Sequence, residues 1–365
     1  MAKRIIGSTP KEDGFRMPGE FEPQDHVFMI WPERPDNWRN GAKPAQMVFA
    51  NVAKAIAKHT PVTMLVNNSQ YANARARLPE DIRVMECSSD DAWVRDSGPT
   101  FVVNDEGGIR GIDWTFNAWG GLVNGLYRSW VNDDMIAQKV CEMQGIDRYR
   151  TEGFVLEGGS FHVDGEGTLI TTEMCLLSEG RNPLMSKREI EEMLKAYLNI
   201  EKIIWIKDGI DPNETNGHID DVACFVRPGE VACIWTEDPN NPFYETCQAA
   251  FRTLSEATDA KGRKLKVYKL CMTKEPCYLR GAETIDIVEG TRTRKEGEIA
   301  IASYMNFFIT NHAIILPQYG DENDALAAEQ VQAMFPGYAI EPVRTEEIAF
   351  GGGNIHCITL QQPKV

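Results

Sequence analysis

VACFVRPGEVACIW, residues 222–235, reads as a strand, a Pro-Gly turn and a second strand. Apolar residues run up to Val226, Pro228 and Gly229 supply the turn chemistry, and the apolar run resumes at Val231. The pattern recurs in TFVVNDEGGIRGIDW (100–114), SFHVDGEGTLITTE (160–173) and NFFITNHAIILPQ (306–318), each with a turn rich in Gly, Asp, Asn or Pro. One further strand, HVFMIWP (26–32), lies near the start of the chain, and another, HCITLQQP (356–363), near its end. If those two pair, they make a fifth hairpin and close a ring.

Between the hairpins lie five stretches with helical spacing. Val48, Val52 and Ile56 share a face in 43–59; Ile136, Val140 and Met143 do so in 131–144. The stretch 186–199 carries Ile190, Met193, Leu194 and Tyr197, and the stretches 243–257 and 322–334 complete the set. Ser186 with Glu189 three residues on is a capping box, which satisfies amide donors left open at a helix start. Strand-like runs follow, such as PVTMLVN (61–67), KIIWIKD (202–208) and KLKVYKL (264–270). A repeat of this size decides the architecture before any motif does. Five units averaging 365/5 = 73 residues predict a single domain over 1–365, a roughly five-fold α/β ring with helices outside and hairpin entrances at one pole. The alternative is an open α/β sheet; the tight hairpins weigh against it, because parallel strands cannot be joined by tight turns.

Composition sets outer bounds. With 42% hydrophobic and 25% charged residues the chain reads as soluble and globular. No apolar run approaches bilayer length and no secretory signal opens the sequence, so the expected location is the cytoplasm. Nine scattered cysteines without a C-x-x-C pair read as free thiols, most of them core residues, in a reducing compartment. The net charge of −16 argues against nucleic acid or anionic membrane as partner. It serves solubility, or it raises the local concentration of a cationic substrate.

Each unit places a distinctive residue just before its hairpin: Asp96 in DAWVRDSGP, Glu157 in LEGGSFH, His218 in NETNGHIDD. The offsets are equal, 157 − 96 = 61 and 218 − 157 = 61, so these side chains should point at one pole. Cys357, in FGGGNIHC, holds the comparable place beside the closing strand. Singly, each has an ordinary structural use: Asp96 as a turn cap, Glu157 in a solvated turn, His218 as a hydrogen-bonded histidine, Cys357 as a core thiol. Matched spacing and complementary chemistry favour a site. Gly351, Gly352 and Gly353 form either a plain flexible loop or a place where backbone approaches a ligand closely. They are not a dinucleotide fingerprint. His162, His218, His356 and Asp220 lack H-E-x-x-H or paired-Cys spacing, so no metal is expected.

At these residues the sequence resembles the guanidine-modifying enzyme superfamily and, within it, the agmatine deiminase family. The matching motifs are WPERPDNWR (31–39), DAWVRDSGP (91–99), EGGSFHVDGEGT (157–168), NGHIDD (216–221) and GGGNIHCITLQQP (351–363), spread over essentially the whole chain. The resemblance implies a five-bladed β/α propeller (pentein) and hydrolysis of agmatine to N-carbamoylputrescine and ammonia, without metal or organic cofactor. It also implies Cys357 as nucleophile, His218 as general acid/base, and Asp96, Glu157 and Asp220 as holders of the guanidinium. That chemistry suits the residues: carboxylates in the guanidinium plane accept its N–H groups, and a thiolate attacks from the face. Nearby acids should raise the Cys357 pKa by like-charge repulsion. For the ammonium end of agmatine, acids and aromatic faces are wanted; Glu214 and Trp93 are the candidates, Trp119 and Trp31 weaker, and Trp31 better read as core. Gly352, in the glycine run next to the nucleophile, is a further substrate-binding candidate.

Three other readings stay open. An arginine or peptidyl-arginine deiminase, or an amidinotransferase, would use the same core. A thiol peptidase would need Cys357 and His218 but not the surrounding acids. A non-catalytic binding protein on the same scaffold would need none of them. A symmetric homo-oligomer is expected from base rates alone.

Overall fold

The computed structural model describes residues 2–365. Ala223–Arg227 and Glu230–Trp235 pair antiparallel, as the Pro-Gly turn requires. Eight of the eleven residues in the two strands are buried, which explains a continuous apolar run in place of strict alternation. The chain then crosses through the helix Tyr244–Glu256 and returns as Lys266–Cys271, parallel to Glu230–Trp235. A parallel partner needs such a crossover.

The same order recurs four more times. Thr100–Val103 and Ile109–Thr115 form a hairpin, joined by Arg148–Val155 after the helix Ile136–Gln144. Phe161–Val163 and Thr168–Thr172 are joined by Lys202–Ile206 after Lys187–Leu198. Phe308–Thr310 and Ala313–Gln318 are joined by Ala339–Arg344 after Asp324–Met334. The fifth hairpin forms across the chain ends: Leu360–Pro363 pairs antiparallel with Gln24–Ile30, which has Val62–Val66 beside it in parallel after Lys43–Ala57. Two short edge strands, Arg4–Ile5 and Arg83–Glu86, widen two of the sheets. The result is an α/β fold of five separate mixed sheets. First strands of neighbouring hairpins touch: Phe161–Val163 lies against Ala223–Arg227, and Leu360–Pro363 against Thr100–Val103.

Apolar burial falls into three clusters, around Trp38, Phe28 and Phe49, around Phe225, Tyr304 and Phe335, and around Tyr149, Phe161 and Leu194. The helix faces are close to those expected, with two adjustments. In Lys43–Ala57 the buried line runs through Phe49, Val52, Ala53 and Ile56, leaving Val48 at its margin. The stretch 131–144 is two helices, Val131–Asp134 and Ile136–Gln144. The break aims two acids away from the helix: Asp133 accepts the amides of Asp90 and Asp91, and Asp134 accepts the Phe116 amide and Arg150. The Ser186–Glu189 capping box forms as read, with both reciprocal bonds present. Among the described residues no helix is long and apolar enough to cross a membrane. All nine cysteines are free thiols, seven of them buried.

Candidate active site

Equal spacing in the repeat does translate into convergence. Asp96 sits on the single turn Val94–Ser97, just before its hairpin. Glu157 stands at the head of the turn Gly158–Ser160, and His218 at the head of Ile219–Asp221, which carries Asp220. Cys357 lies in the turn leading into Leu360–Pro363. The remaining hairpin contributes Asn306, two residues before Phe308, whose amide nitrogen is 3.2 Å from Cys357 Sγ. His218 Nδ1 is 3.9 Å from Asp96 Oδ2 and 4.0 Å from Asp220 Oδ1, while Nε2 is 3.9 Å from Glu157 Oε2. Cys357 Sγ is 3.6 Å from Asp220 Oδ2. All six residues are buried, none more than 4% exposed.

What holds them was only partly visible in the sequence. Asp96 accepts Trp119 Nε1–H at 2.8 Å and the Gly159 amide at 2.9 Å, so Trp119 positions a carboxylate. Glu157 Oε1 is 2.8 Å from Arg181 Nε, close but out of line for a hydrogen bond, so the contact is chiefly Coulombic. Arg181 is itself fixed by the carbonyls of Trp119 and Thr215 and by Asn216 Oδ1. Asp220 Oδ2 meets His356 Nδ1 at 2.8 Å, and His356 Nε2 meets Glu20 Oε2 at 2.8 Å. Arg95 bonds the backbone carbonyls of Cys357 and His356 and lies 3.7 Å from Glu20, riveting the Cys357 turn.

These contacts set the protonation states. Burial pushes the Cys357 thiol well above its ordinary pKa, and Asp220, Asp221 and Asp96 add to it. The direction is the one expected, but burial is the larger cause, not like-charge repulsion. Burial also drives His218 down to about 3, with Arg181 and His356 adding and Asp220 opposing, so the imidazole is neutral. Asp96 rises to about 8 through burial and the neighbouring acids Asp220 and Glu157. Burial opposes ionisation of Glu20 and Asp220 as well, yet the His356 imidazolium between them prevails. Glu20 is held at about 2 and Asp220 below the usual carboxylate range. Burial and Arg95 push His356 down, but the two carboxylates overcome them and raise it.

Five buried polar atoms around the thiol make no hydrogen bond: both Glu157 oxygens, Asp220 Oδ1 and both His218 nitrogens. Buried polar atoms normally find partners, and leaving them bare is costly. Four of the five are acceptors, since the neutral His218 ring carries a proton on one nitrogen, and acceptors arranged around one small space suit a planar cation rich in N–H donors. Two sets bring three ligand-type atoms within 4.8 Å, Glu20 with His162 and His356, and Glu157 with Cys175 and His218. In the first, His162 Nδ1 accepts the Phe225 amide, so its proton sits on Nε2 toward Glu20. That leaves no lone pair for a metal, and the set is a hydrogen-bonded relay.

A narrow cleft leads to Cys357. Trp93 forms one wall, stacked on Trp38 with centroids 5.2 Å apart; Asp91 accepts the indole N–H of each at 3.0 Å. Trp31 is core, 2% exposed and outside the cleft lining, as expected. Glu214 does line the cleft, but its carboxylate is not free: Arg292 and Arg294 both bond it. Gly352 has φ +105°, and a Cβ there would lie 2.6 Å from Glu214 Oε2; a Cβ on Gly353 would lie 3.0 Å from Cys357 Sγ. The glycine run is therefore a close-approach device.

Glu20 acts on the site through His356, which gives an expected result. In Glu20→Gln, His356 loses one anionic partner and sheds its proton more readily. Asp220 then loses a cationic neighbour, its pKa rises, and the acidic limb of kcat/KM moves up by about one pH unit, with kcat/KM falling about tenfold. Glu20→Asp should recover part of both. A pH profile of unchanged shape, with only thermal stability lowered, would reduce Glu20 to a structural role.

The sequence model of the Porphyromonas-type peptidyl-arginine deiminase family matches residues 16–363. A Lactococcus lactis protein provisionally named an agmatine deiminase is 68% identical over 364 residues, covering 100% of both chains. An agmatine deiminase of Pseudomonas aeruginosa is 55% identical, covering 98% of this chain and 97% of its own. The solved structure of an agmatine deiminase of Enterococcus faecalis catalysing its reaction superposes with a TM-score of 0.99 at 65% identity, over 100% of each chain.

Proposed function

The chain belongs to the Porphyromonas-type peptidyl-arginine deiminase family, and from that premise we propose that it hydrolyses agmatine to N-carbamoylputrescine and ammonia. The observation that carries the reading is the set of five buried polar atoms of Glu157, Asp220 and His218 that make no hydrogen bond beside Cys357. A guanidinium offers N–H donors in one plane, so Glu157 and Asp220 take its edges while Sγ faces its carbon. We also read the five sheets as the blades of a five-bladed β/α propeller forming one domain, with the hairpin entrances as its active pole.

The steps follow from the starting protonation states, a neutral thiol and a neutral imidazole. The bound cation offsets the acids that resist thiolate formation, so Cys357 gives its proton to His218 as Sγ adds to the guanidinium carbon. The imidazolium then protonates one nitrogen of the tetrahedral adduct, which leaves as ammonia. An amidino-thioether remains on Cys357. His218, neutral again, takes a proton from water as the oxygen adds to the same carbon; the second adduct expels Sγ, which recovers a proton from His218, and the urea oxygen releases its remaining proton to solvent. No metal or organic cofactor enters this sequence.

At the far end, Glu214 contributes by charge balance. It offsets Arg292 and Arg294 in the cleft wall, and without it one buried and one half-buried cation would face the ammonium of agmatine. Ammonia release from agmatine, arginine and an arginine-containing peptide at equal concentration tests the substrate, with agmatine expected to dominate without any amine acceptor present. In the same assay Glu214→Gln should raise KM for agmatine more than it lowers kcat, and narrow the preference over arginine. Preferential turnover of arginine by the unmodified chain would sink the agmatine reading; equal loss in KM and kcat would sink the role of Glu214.

A further inference from the structure

Cys175 stands against the active site and takes no part in the hydrolysis described above. It lies on the single turn Glu173–Leu176, fully buried. Its Sγ is within 4.8 Å of a His218 ring nitrogen and of a Glu157 carboxylate oxygen. Neither nitrogen of His218 and neither oxygen of Glu157 makes a hydrogen bond. A guanidinium accounts for the open valences of Glu157 and His218. It does not account for a sulfur among them, because a thiol is a weak acceptor for N–H groups.

We propose that Glu157, Cys175 and His218 form an inhibitory site for zinc, in which the ion occupies the acceptors that the guanidinium needs. The inference rests on the reading above that Glu157 and His218 face the substrate. One thiolate, one imidazole and one carboxylate are a donor set that suits zinc and not magnesium or calcium. Bond lengths of about 2.0 Å to nitrogen and oxygen and 2.3 Å to sulfur put tetrahedral ligand atoms roughly 3.3–3.8 Å apart. The His218–Glu157 separation is 3.9 Å and Cys175 Sγ lies within 4.8 Å of both, so the ligands must draw together by up to about 1 Å. On binding, Cys175 loses its S–H proton to solvent and a Zn–S bond forms; His218 gives a ring lone pair, Glu157 an oxygen, and water fills the fourth position. Arg181 beside Glu157 weighs against a cation, while Asp96 and Asp211, also near Cys175, weigh for it.

Zinc ion alone is the probe. In Cys357→Ser, equilibrium dialysis should find a zinc that agmatine displaces, since the ligands named do not include the nucleophile. Cys175→Ala and Cys175→Ser, in the otherwise unchanged chain, should retain agmatine turnover and raise the zinc concentration for half-inhibition at least about tenfold. Two variants are used because one leaves a small cavity and the other adds a hydroxyl, and either suffices if the other fails to fold. Unchanged inhibition in the Cys175 variants overturns the site, as does zinc binding that is lost with Cys357 and kept without Cys175. Zinc bound through Cys175 in a chain that does not turn over agmatine would leave the metal site standing and remove the substrate reading.

Discussion

Cys357→Ser should lose ammonia release from agmatine by on the order of 10⁴-fold or more in kcat, with fold and substrate binding retained. The change swaps one atom in a position that is 3% exposed, so packing has little reason to alter. The chemistry does. His218 is held at about 3, a weak base. The bound cation offsets part of what raises the thiol, and a hydroxyl, intrinsically far less acidic than a thiol, would remain protonated in the same place. The acids that raise the thiol would raise an alkoxide at least as strongly. Brief exposure of the unmodified chain to agmatine, followed by acid quench, should show an amidino mass increase on Cys357, and none in Cys357→Ser. Retention of more than about a hundredth of the activity by the serine variant would move the nucleophile elsewhere.

The hairpins were legible because turn chemistry is local: Pro228 and Gly229 announce a turn whatever surrounds them. Outer strands carried less signal. Ala339–Arg344 is mostly exposed or half-buried and holds Pro342, so its pattern is that of an edge and not of a core strand. Within the site, Asp96, Glu157 and His218 could be aligned because nothing disturbs the 61-residue offset. Asn306 could not, although it fills the same place before its hairpin, since the offset from His218 is 306 − 218 = 88. The difference comes from the long connection between Cys271 and Phe308, whose only regular element is the turn Ala282–Thr284. That connection brings Thr291, Arg292 and Arg294 to the cleft, and a connection of such length without strands is itself a hint of function. Glu20 precedes the first hairpin strand and belongs to no repeat, so its bond to His356 had no signature. His356 stands beside Cys357 in the sequence, but its partner Asp220 lies 136 residues away, so the bond that holds Asp220 leaves no local pattern.

Gly159→Ala is the sharper test of where the guanidinium lies. A Cβ on Gly159 would fall 2.6 Å from His218 Nδ1, 2.8 Å from Asp220 Oδ2 and 3.0 Å from Asp96 Oδ1. Three groups of the site thus face one missing methyl. The backbone of Gly159 is not in the left-handed region, so alanine meets no conformational strain, and its amide still reaches Asp96. What the methyl removes is space between acceptors that must stay about a hydrogen bond away from the cation. Displacements near 1 Å at reacting groups cost about a hundredfold, so kcat/KM for agmatine should fall on the order of 10²–10³-fold. Gly107→Ala is the matching control. Gly107 has φ +78° in a hairpin turn with nothing within 4 Å of its missing Cβ. Alanine there should lower stability by about 1 kcal/mol through left-handed strain and leave kcat/KM unchanged. Thermal melts and steady-state kinetics on the pair separate the two costs. If Gly159→Ala keeps kcat/KM within about threefold while folding normally, the cation does not occupy the space between Asp96, Asp220 and His218, and the proposed order of attack and proton transfer has to be redrawn around a different face of Cys357.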